Sequence, residues 1–292
     1  MSVPLPDPFH TERVDVDGVV VNHAIGGTGP PVLMLHGYPQ NHLMWHAVAP
    51  ALARDHTVVL ADLRGYGDSG KPEPTDENYA KRAMAADQLG LMRGLGFDRF
   101  TVVGHDRGAR VAHRMALDSP AAVRRLAVLD IVPTRHVFGT VDRAMATAYY
   151  HWFFLSVGGG VPERLIGADP AFWWQAMTAP LLRRTEFDPA ARAEYVRCFS
   201  DPATVAASCA DYRAAAGVDL RHDDDAFAAG QRVECPTLAL WGESGFVGRH
   251  YDVLDVWRTY APDVRGHAVP GGHFVAEEAP AETTSALLEF IG

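Results

Sequence analysis

Short apolar runs recur along the chain, each separated from the next by longer stretches of mixed polarity. Five such runs, about four residues long, lie at positions 32–35, 58–61, 100–103, 126–129 and 237–240. Runs of this length are too short for helices and are typical of strands buried on both faces of a parallel sheet. Amphipathic stretches elsewhere predict helices, for instance at about 79–95, 107–118 and 280–290. The alternation predicts an α/β fold with a mostly parallel, doubly wound sheet.

Two other segments extend this pattern. β-branched residues on either side of an Asp-Gly turn dipeptide predict a hairpin across residues 12–25. Between about 133 and 230 the alternation stops, aromatic residues accumulate, and the pattern indicates helices without a buried strand. We interpret this segment as a helical insert after the sixth strand, where it would cover the ligand crevice of the sheet. We therefore expect residues 1–132 and 231–292 to form the core and residues 133–230 to form a helical cap.

The charge balance narrows the class of partner. The chain of 292 residues has 26 Lys and Arg against 36 Asp and Glu, which leaves a formal net charge of −10. A broadly acidic surface argues against a nucleic-acid partner, because nucleic-acid binders present a basic face. It does not exclude an anionic substrate, because a few cations in one pocket can override the net charge locally.

The sequence lacks the patterns that signal peptides, membrane spans and disulfide frameworks produce. The N-terminal MSVPLPDPFH has neither the basic start nor the apolar run of a signal peptide, and the chain has no uninterrupted apolar stretch of about 18 residues. Three cysteines, an odd number without C-x-x-C spacing, indicate neither a disulfide framework nor a zinc site. We therefore expect a cytoplasmic protein with reduced thiols, no membrane partner and no bound metal.

The segment Gly104-His105-Asp106-Arg107-Gly108 carries the most chemical information. It joins a predicted buried strand to a predicted helix. Glycines on both sides of the central residue allow a tight strand-to-helix turn that thrusts this side chain into a pocket. The familiar nucleophile in such a turn is Ser, so Asp106 changes the predicted chemistry from acyl transfer to attack of a carboxylate on carbon. Helix capping is the alternative role for Asp106, and it would not require the flanking glycines.

Three more motifs, together with this turn, resemble those of the α/β-hydrolase superfamily. One is the segment His36-Gly37-Tyr38-Pro39, which looks like the oxyanion loop of the family. The others are residues 62–69, DLRGYGDS, and the segment GGHF around His273, which looks like the catalytic histidine loop. The four motifs follow one another in the family's order, and the resemblance covers nearly the whole chain. It implies an α/β-hydrolase fold in which the backbone N–H groups of Tyr38 and Arg107 face the reacting ester carbonyl.

A carboxylate nucleophile leaves an ester that an activated water must hydrolyse. His273 is the expected general base, because imidazole titrates near neutral pH and the resembled fold brings this loop close to the nucleophile. A further carboxylate should fix the tautomer of the histidine. The resembled families place it after the sixth or the seventh strand, which here means Asp130 or Glu243, with Gly245 where epoxide hydrolases carry their acid. We favour Asp130, at the end of an apolar run; a turn cap is its alternative role.

Two arginines narrow the choice of substrate. Asp nucleophiles in this superfamily belong chiefly to haloalkane dehalogenases, epoxide hydrolases and haloacetate dehalogenases. Arg107 and Arg110, three residues apart at the start of a helix, can point to one side. They would do little for a neutral haloalkane, but they would bind a substrate carboxylate through charge-assisted hydrogen bonds. The pair favours a small anionic haloacid, and pairing of either arginine with a surface acid is the alternative.

Aromatic residues of the predicted cap point the same way. The dipeptide His151-Trp152, with Tyr212 further on, resembles the fluoroacetate dehalogenases, in which the matching side chains bind the departing halide. Fluoride is strongly hydrated and a poor leaving group, so its release requires several hydrogen-bond donors aimed at the developing charge. These three side chains would supply them. The alternative is that Trp152 and Tyr212 form the apolar core of the cap.

These features lead to one hypothesis and two alternatives. The hypothesis is hydrolytic dehalogenation of fluoroacetate or chloroacetate to glycolate through an aspartyl ester, without metal or organic cofactor. An epoxide hydrolase would share Asp106 and His273 and use Tyr212 with Tyr149 or Tyr150 as proton donors. A hydrolase-fold protein that binds a small acid as a receptor or scaffold is the second alternative, and the complete acid–base set argues against it. The resembled families also imply a homodimer.

Overall fold

Residues 5–292 are described by the computed structural model, so the first four residues of the predicted core segment and of the N-terminal stretch lie outside the described residues. The described chain forms eight strands. They are β1 (His10–Val16), β2 (Val19–Gly26), β3 (Pro31–Leu35), β4 (Thr57–Ala61), β5 (Phe100–His105), β6 (Val123–Leu129), β7 (Thr237–Gly242) and β8 (Val264–Val269). All eight join one sheet in the order β1-β2-β4-β3-β5-β6-β7-β8.

Helices connect the strands of this sheet from β3 onward. Within residues 5–292 they are α1 (Ala49–Leu52), α2 (Lys81–Gly94), α3 (Arg107–Asp118), α4 (Thr134–Gly139), α5 (Arg143–Ala148), α6 (Tyr150–Leu155), α7 (Val161–Ala168), α8 (Pro170–Thr178), α9 (Pro189–Phe199), α10 (Pro202–Ala216), α11 (Val218–Ala228), α12 (Phe246–His250), α13 (Val253–Arg258), α14 (Val275–Glu278) and α15 (Pro280–Ile291). Two short 3₁₀ helices lie at His42–Trp45 and Ala179–Leu181. None of these described helices has both the length and the apolarity that crossing a bilayer requires.

The sheet confirms the predicted fold class. β1 pairs antiparallel with β2, and β2 with β4, whereas the other neighbouring strands are parallel. The five apolar runs all lie in the central strands β3 to β7, whose residues are mostly buried because helices cover both faces. The hairpin predicted across residues 12–25 is formed by β1 and β2.

One strand was missed by the sequence pattern. β8 lies at the edge of the sheet, where it pairs with β7, and Val269 is its single fully buried residue. Its sequence, VRGHAV, contains no unbroken apolar run, because most of its side chains are partly or fully exposed. Apolar runs signal burial on both faces, so a half-exposed edge strand gives no such signal.

Every regular element that the structure describes between β6 and β7 is a helix, which confirms the helical insert after the sixth strand. This segment meets the loop that follows β3. The indole N–H of Trp174 donates to the Pro39 carbonyl at 3.0 Å, and that of Trp173 donates to the Tyr38 hydroxyl at 2.6 Å. Because parallel sheets bind ligands outside the carboxyl ends of their strands, these helices close the expected crevice. The domain limits at 132/133 and 230/231 stay a prediction.

Candidate active site

Asp106 occupies the turn between β5 and α3. Its backbone has φ 47° and ψ −115°, a strained conformation for a residue other than glycine. The neighbouring glycines make room for the turn. A Cβ on Gly108 would lie 2.4 Å from the carbonyl oxygen of His36, and one on Gly104 would lie 2.5 Å from Cα of Ala109. This close approach of backbone segments presents the Asp106 side chain to a cavity beyond the end of the sheet.

The Asp106 carboxylate is ionised although it is buried. Its Oδ1 accepts a 2.9 Å hydrogen bond from the Tyr38 backbone N–H, and its Oδ2 lies 3.9 Å from Nε2 of His273. Burial by itself would raise the pKa of Asp106, but His273 and the other positive charges nearby outweigh burial and lower the pKa to about 2. Within the described chain the Arg107 N–H makes no hydrogen bond to this carboxylate, so its predicted oxyanion role stays a prediction.

His273 is joined to Asp130 through its other ring nitrogen. Nδ1 of His273 and Oδ2 of Asp130 are 2.6 Å apart, and Oδ1 of Asp130 accepts a 3.0 Å hydrogen bond from the Gly242 N–H. Burial raises the pKa of Asp130. Burial alone would lower the pKa of His273, but the hydrogen bond and the charge of Asp130 raise it above its ordinary value. Glu243 is exposed, so the structure brings Asp130 rather than Glu243 to the histidine.

A small cavity of about 20 Å³ lies between the helical segment and the carboxyl ends of the central strands. It is lined by Tyr38, Pro39, Asp106, Tyr149, His151, Trp152, Met177, Leu181, Tyr212 and His273. The three predicted halide ligands therefore face the predicted nucleophile and base. The rings of His151 and Trp152 lie 5.8 Å and 6.1 Å from that of Tyr212, centre to centre. A volume of this size holds about one water molecule and lies far below the usual range for ligand sites, which argues against a large substrate.

All three predicted halide ligands keep a proton to donate at neutral pH. Burial lowers the pKa of His151 to about 3, so its imidazole is neutral and carries one N–H. Burial also raises the pKa of Tyr212 well above its ordinary value, so its hydroxyl stays protonated. Trp152 carries an indole N–H. Nδ1 of His151 is buried and has no hydrogen-bond partner in residues 5–292.

Arg107 and Arg110 contact two of these cavity-lining rings and do not line the cavity themselves. The Arg107 guanidinium carbon is 4.3 Å from the centre of the Tyr212 ring, and that of Arg110 is 4.5 Å from the centre of the Trp152 ring. Nη1 of Arg110 donates to the Thr134 hydroxyl at 2.9 Å. Nη1 of Arg107 and Nε of Arg110 are buried without a partner in the described chain. Burial, reinforced by Arg107, lowers the pKa of Arg110 to about 10, so both arginines remain charged at neutral pH.

The sequence profile of the α/β hydrolase fold family matches residues 30–280. The chain belongs to this family. It is similar to a fluoroacetate dehalogenase of Burkholderia sp., with 47% identity over 97% of this chain and 94% of the relative. It is also similar to a soluble epoxide hydrolase of Corynebacterium sp. (strain C12), with 36% identity over 94% of each chain. A crystal structure of a Nostoc sp. PCC 7120 protein described as an α/β hydrolase superposes with a TM-score of 0.95 and 52% identity, over 97% of this chain and 98% of that one.

The sequence analysis missed the residues that hold Arg107 in this α/β hydrolase. The carboxylate of Asp211, the residue before Tyr212, accepts hydrogen bonds from Arg107, Tyr66 and Lys81. One signal was present: an acid within the otherwise apolar stretch ATVAASCADY of α10 is expected to be buried only if it is paired. The identity of its partner, 104 residues away, leaves no trace in the local sequence.

Proposed function

We propose that this chain hydrolyses the carbon–halogen bond of short 2-haloacids, converting fluoroacetate or chloroacetate into glycolate and halide. The observation that carries the proposal is the small cavity in which an ionised Asp106 faces His273 and the donors of His151, Trp152 and Tyr212. A serine hydrolase would carry Ser at the position of Asp106. The similarity to a fluoroacetate dehalogenase over nearly the whole chain supports the same reaction.

The first step forms an ester. A carboxylate oxygen of Asp106 attacks the α-carbon of the haloacid in line with the carbon–halogen bond. The new bond joins Asp106 to a carboxymethyl group, and the halogen leaves with the bonding electron pair as halide. Hydrogen-bond donors are required where this charge develops, which is the role of His151, Trp152 and Tyr212. They are neutral donors in a buried site, where a hydrogen bond to an anion is stronger than in water.

The second step hydrolyses the ester. His273 takes one proton from a water molecule, whose oxygen attacks the carbonyl carbon of Asp106. The Tyr38 N–H, 2.9 Å from Oδ1 of Asp106, stabilises the oxyanion that forms. Collapse breaks the bond to the carboxymethyl oxygen, the remaining water proton passes to the glycolate hydroxyl, and His273 releases its proton to solvent. Asp130 holds His273 in the tautomer with a free Nε2 and stabilises its cation.

The arginines bind the substrate carboxylate in this proposal. Nη1 of Arg107 and Nε of Arg110 are buried and have no protein partner among residues 5–292, so both are available to donate to a ligand. A carboxylate is the group that satisfies guanidinium N–H donors best. Their positive charge also reduces the repulsion between Asp106 and an anionic substrate.

Epoxide hydrolysis is the competing function, because it uses the same nucleophile and base. Tyr212 and Tyr149 both line the cavity and are protonated, as an epoxide hydrolase requires of its proton donors. Tyr150 is less suited to that role: it does not line the cavity, it is 45% exposed, and its hydroxyl donates to Sδ of Met177 at 3.2 Å. The buried guanidinium donors would have no partner in a neutral epoxide, which favours the haloacid.

The test is to incubate the purified protein separately with fluoroacetate, chloroacetate and styrene oxide. Halide release is followed with an ion-selective electrode, and glycolate and diol by chromatography. The proposal expects halide and glycolate in equal amounts, no diol, and no halide from Asp106→Ala. Asp98→Ala is the matched control: it removes an exposed aspartate that does not line the cavity, and its halide release should equal that of wild type. Diol without halide would replace the proposal by the epoxide reaction.

A further inference from the structure

Four charged side chains form a buried cluster that contacts the cavity-lining ring of Tyr212 through Arg107. Lys81 comes from α2, Arg107 from α3, Asp211 from α10 and Asp219 from α11, and each is at most 3% exposed. We call these four residues the charge cluster. The proposed function assigns Arg107 to the substrate carboxylate. It gives no role to the other three residues, none of which lines the cavity with Asp106. Burial of charges is costly unless they are paired and oriented, which raises the question of what this cluster holds in place.

Both carboxylate oxygens of Asp211 accept hydrogen bonds from Arg107. Nε of Arg107 donates to Oδ2 at 2.9 Å, and Nη2 donates to Oδ1 at 2.5 Å and to the Asp211 carbonyl at 2.9 Å. This fork fixes the guanidinium plane. The Tyr212 ring covers the guanidinium at 4.3 Å. The Nη1 donors are consequently left unpartnered within residues 5–292 and held in one orientation.

Asp211 is itself held by two other donors. The Tyr66 hydroxyl donates to Oδ2 at 2.7 Å, and the Lys81 ammonium donates to Oδ1. Burial alone would raise the pKa of Asp211, but Arg107 and Lys81 outweigh it and lower the pKa below its ordinary value. Asp219 contacts only the lysine of this cluster: it accepts the Lys81 backbone N–H at 2.8 Å and lies 3.4 Å from Nζ. Asp211 is thus the member of the cluster that contacts Arg107.

We infer that Asp211 is a positioning residue for carboxylate recognition: it aims the free Nη1 edge of Arg107 at the substrate carboxylate. The inference rests on the proposed function, because it assigns a partner to the residue that would bind the haloacid. Asp211 touches no reacting atom and acts through Arg107. Without it the long arginine side chain would populate several rotamers, and few of them would present Nη1 beside Arg110.

Positioning by Asp211 and simple electrostatics predict opposite changes in the affinity for a carboxylate when Asp211 is replaced. Replacing Asp211 by Asn removes a negative charge close to the site, which makes the surroundings of the cavity more positive. Charge alone therefore predicts tighter binding of a carboxylate. Positioning predicts weaker binding, because an amide offers one acceptor oxygen where the carboxylate offers two, and its NH2 group cannot accept the second hydrogen bond from Arg107.

The experiment compares Asp211→Asn with Asp219→Asn as a matched control. Both variants remove one buried carboxylate from the same cluster and from the same lysine, but only the first removes a partner of Arg107. The measurements are KM and kcat for chloroacetate from halide release, and the Kd of glycolate from isothermal titration calorimetry. We expect Asp211→Asn to raise both KM and Kd about tenfold or more, with kcat within about threefold of wild type. Asp219→Asn should leave all three within about threefold.

Each other outcome has a definite meaning. An unchanged or lower KM for Asp211→Asn, or an equal rise for Asp219→Asn, overturns the positioning role. If the single variant does not fold, the double variant Lys81→Met/Asp211→Asn preserves the net charge of the cluster and must show the same rise in KM. A wild-type protein that neither releases halide from chloroacetate nor binds glycolate would refute the proposed function itself, and the inference with it.

Discussion

Replacement of Asp130 by Asn tests whether this residue acts on ester hydrolysis alone or also on the displacement of halide. Asp130 contacts His273 at 2.6 Å and has no contact with Asp106 in the described hydrogen-bond network. The amide is nearly isosteric with the carboxylate and can still accept the Gly242 N–H, so the fold should survive. The variant loses the charge that stabilises the His273 cation. Ester hydrolysis should therefore slow, whereas displacement of halide by Asp106 should not.

The size of the effect follows from the geometry of the pair. With the hydrogen-bonded atoms 2.6 Å apart, the centres of the two charges are about 4 Å apart. Two unit charges at that distance interact by about 4 kcal/mol when the effective dielectric constant is about 20. The interaction exists only when His273 is charged, so its loss falls on the hydrolytic transition state. A loss of this size corresponds to a rate lower by about 10³-fold.

Rapid-quench kinetics with chloroacetate separates the two steps. Asp130→Asn should release about one chloride per active site in a fast burst and then turn over about 10³-fold more slowly than wild type. Intact-protein mass spectrometry after the burst should show one added carboxymethyl group. Glu243→Gln is the control, because this exposed acid was the competing candidate and should show wild-type turnover.

Two results would refute this reasoning. Steady-state turnover of Asp130→Asn within about tenfold of wild type would mean that the charge of Asp130 does not act on the hydrolytic step. A slow burst, with no trapped ester, would mean that Asp130 acts on the first step and that the roles assigned to Asp106 and His273 are incomplete.

Three further predictions concern stability. Burial raises the pKa of Glu277 from 4.5 to about 8, so between pH 4.5 and pH 8 the native state keeps a proton that the unfolded chain loses, and the free energy of unfolding falls as the pH rises. The Tm of Glu277→Gln should therefore rise relative to that of wild type as the pH increases from 4.5 to 8. A difference in Tm that stays constant over this pH range would contradict the pKa shift. Tyr38→Phe removes the acceptor of the Trp173 indole N–H and should cost about 1 kcal/mol in urea unfolding. Its kcat should stay within about threefold, because the backbone N–H is the contact to the nucleophile; a tenfold loss would give the hydroxyl a role in the reaction. Gly108→Ala should be poorly folded, because its Cβ would lie 2.4 Å from a backbone oxygen, whereas Gly94→Ala meets no atom within 4 Å and should be neutral or stabilising in the same unfolding assay.

The order of strands and helices was predictable because the central strands are buried on both faces. Their apolar runs are a direct record of that burial, and the helices between them follow from the same alternation. β8 shows the limit of this signal. It belongs to the sheet through backbone hydrogen bonds to β7, which any sequence can make, while its side chains are largely exposed.

The position of Asp106, the predicted nucleophile, was also determined locally. Gly104, Asp106 and Gly108 lie within one turn of chain, and the requirement for glycine arises where backbone atoms approach within 2.4 to 2.5 Å of the missing Cβ atoms. Such a constraint acts on neighbouring residues and is therefore written in a short motif.

Only the tertiary structure decided which side chains complete the site. Asp130 and Glu243 were both acceptable acids by sequence, and the choice depends on a contact between residues 143 positions apart. Arg107 was expected to bind the substrate carboxylate, and no sequence pattern indicated that Asp211 accepts hydrogen bonds from its Nε and Nη2 and leaves Nη1 without a partner in residues 5–292. The local sequence determines the backbone conformation of a short segment, as it does for the glycine-flanked turn at Asp106. The pairing of buried charges is determined by packing, because each long side chain finds its partner only when the helices that carry them are brought together.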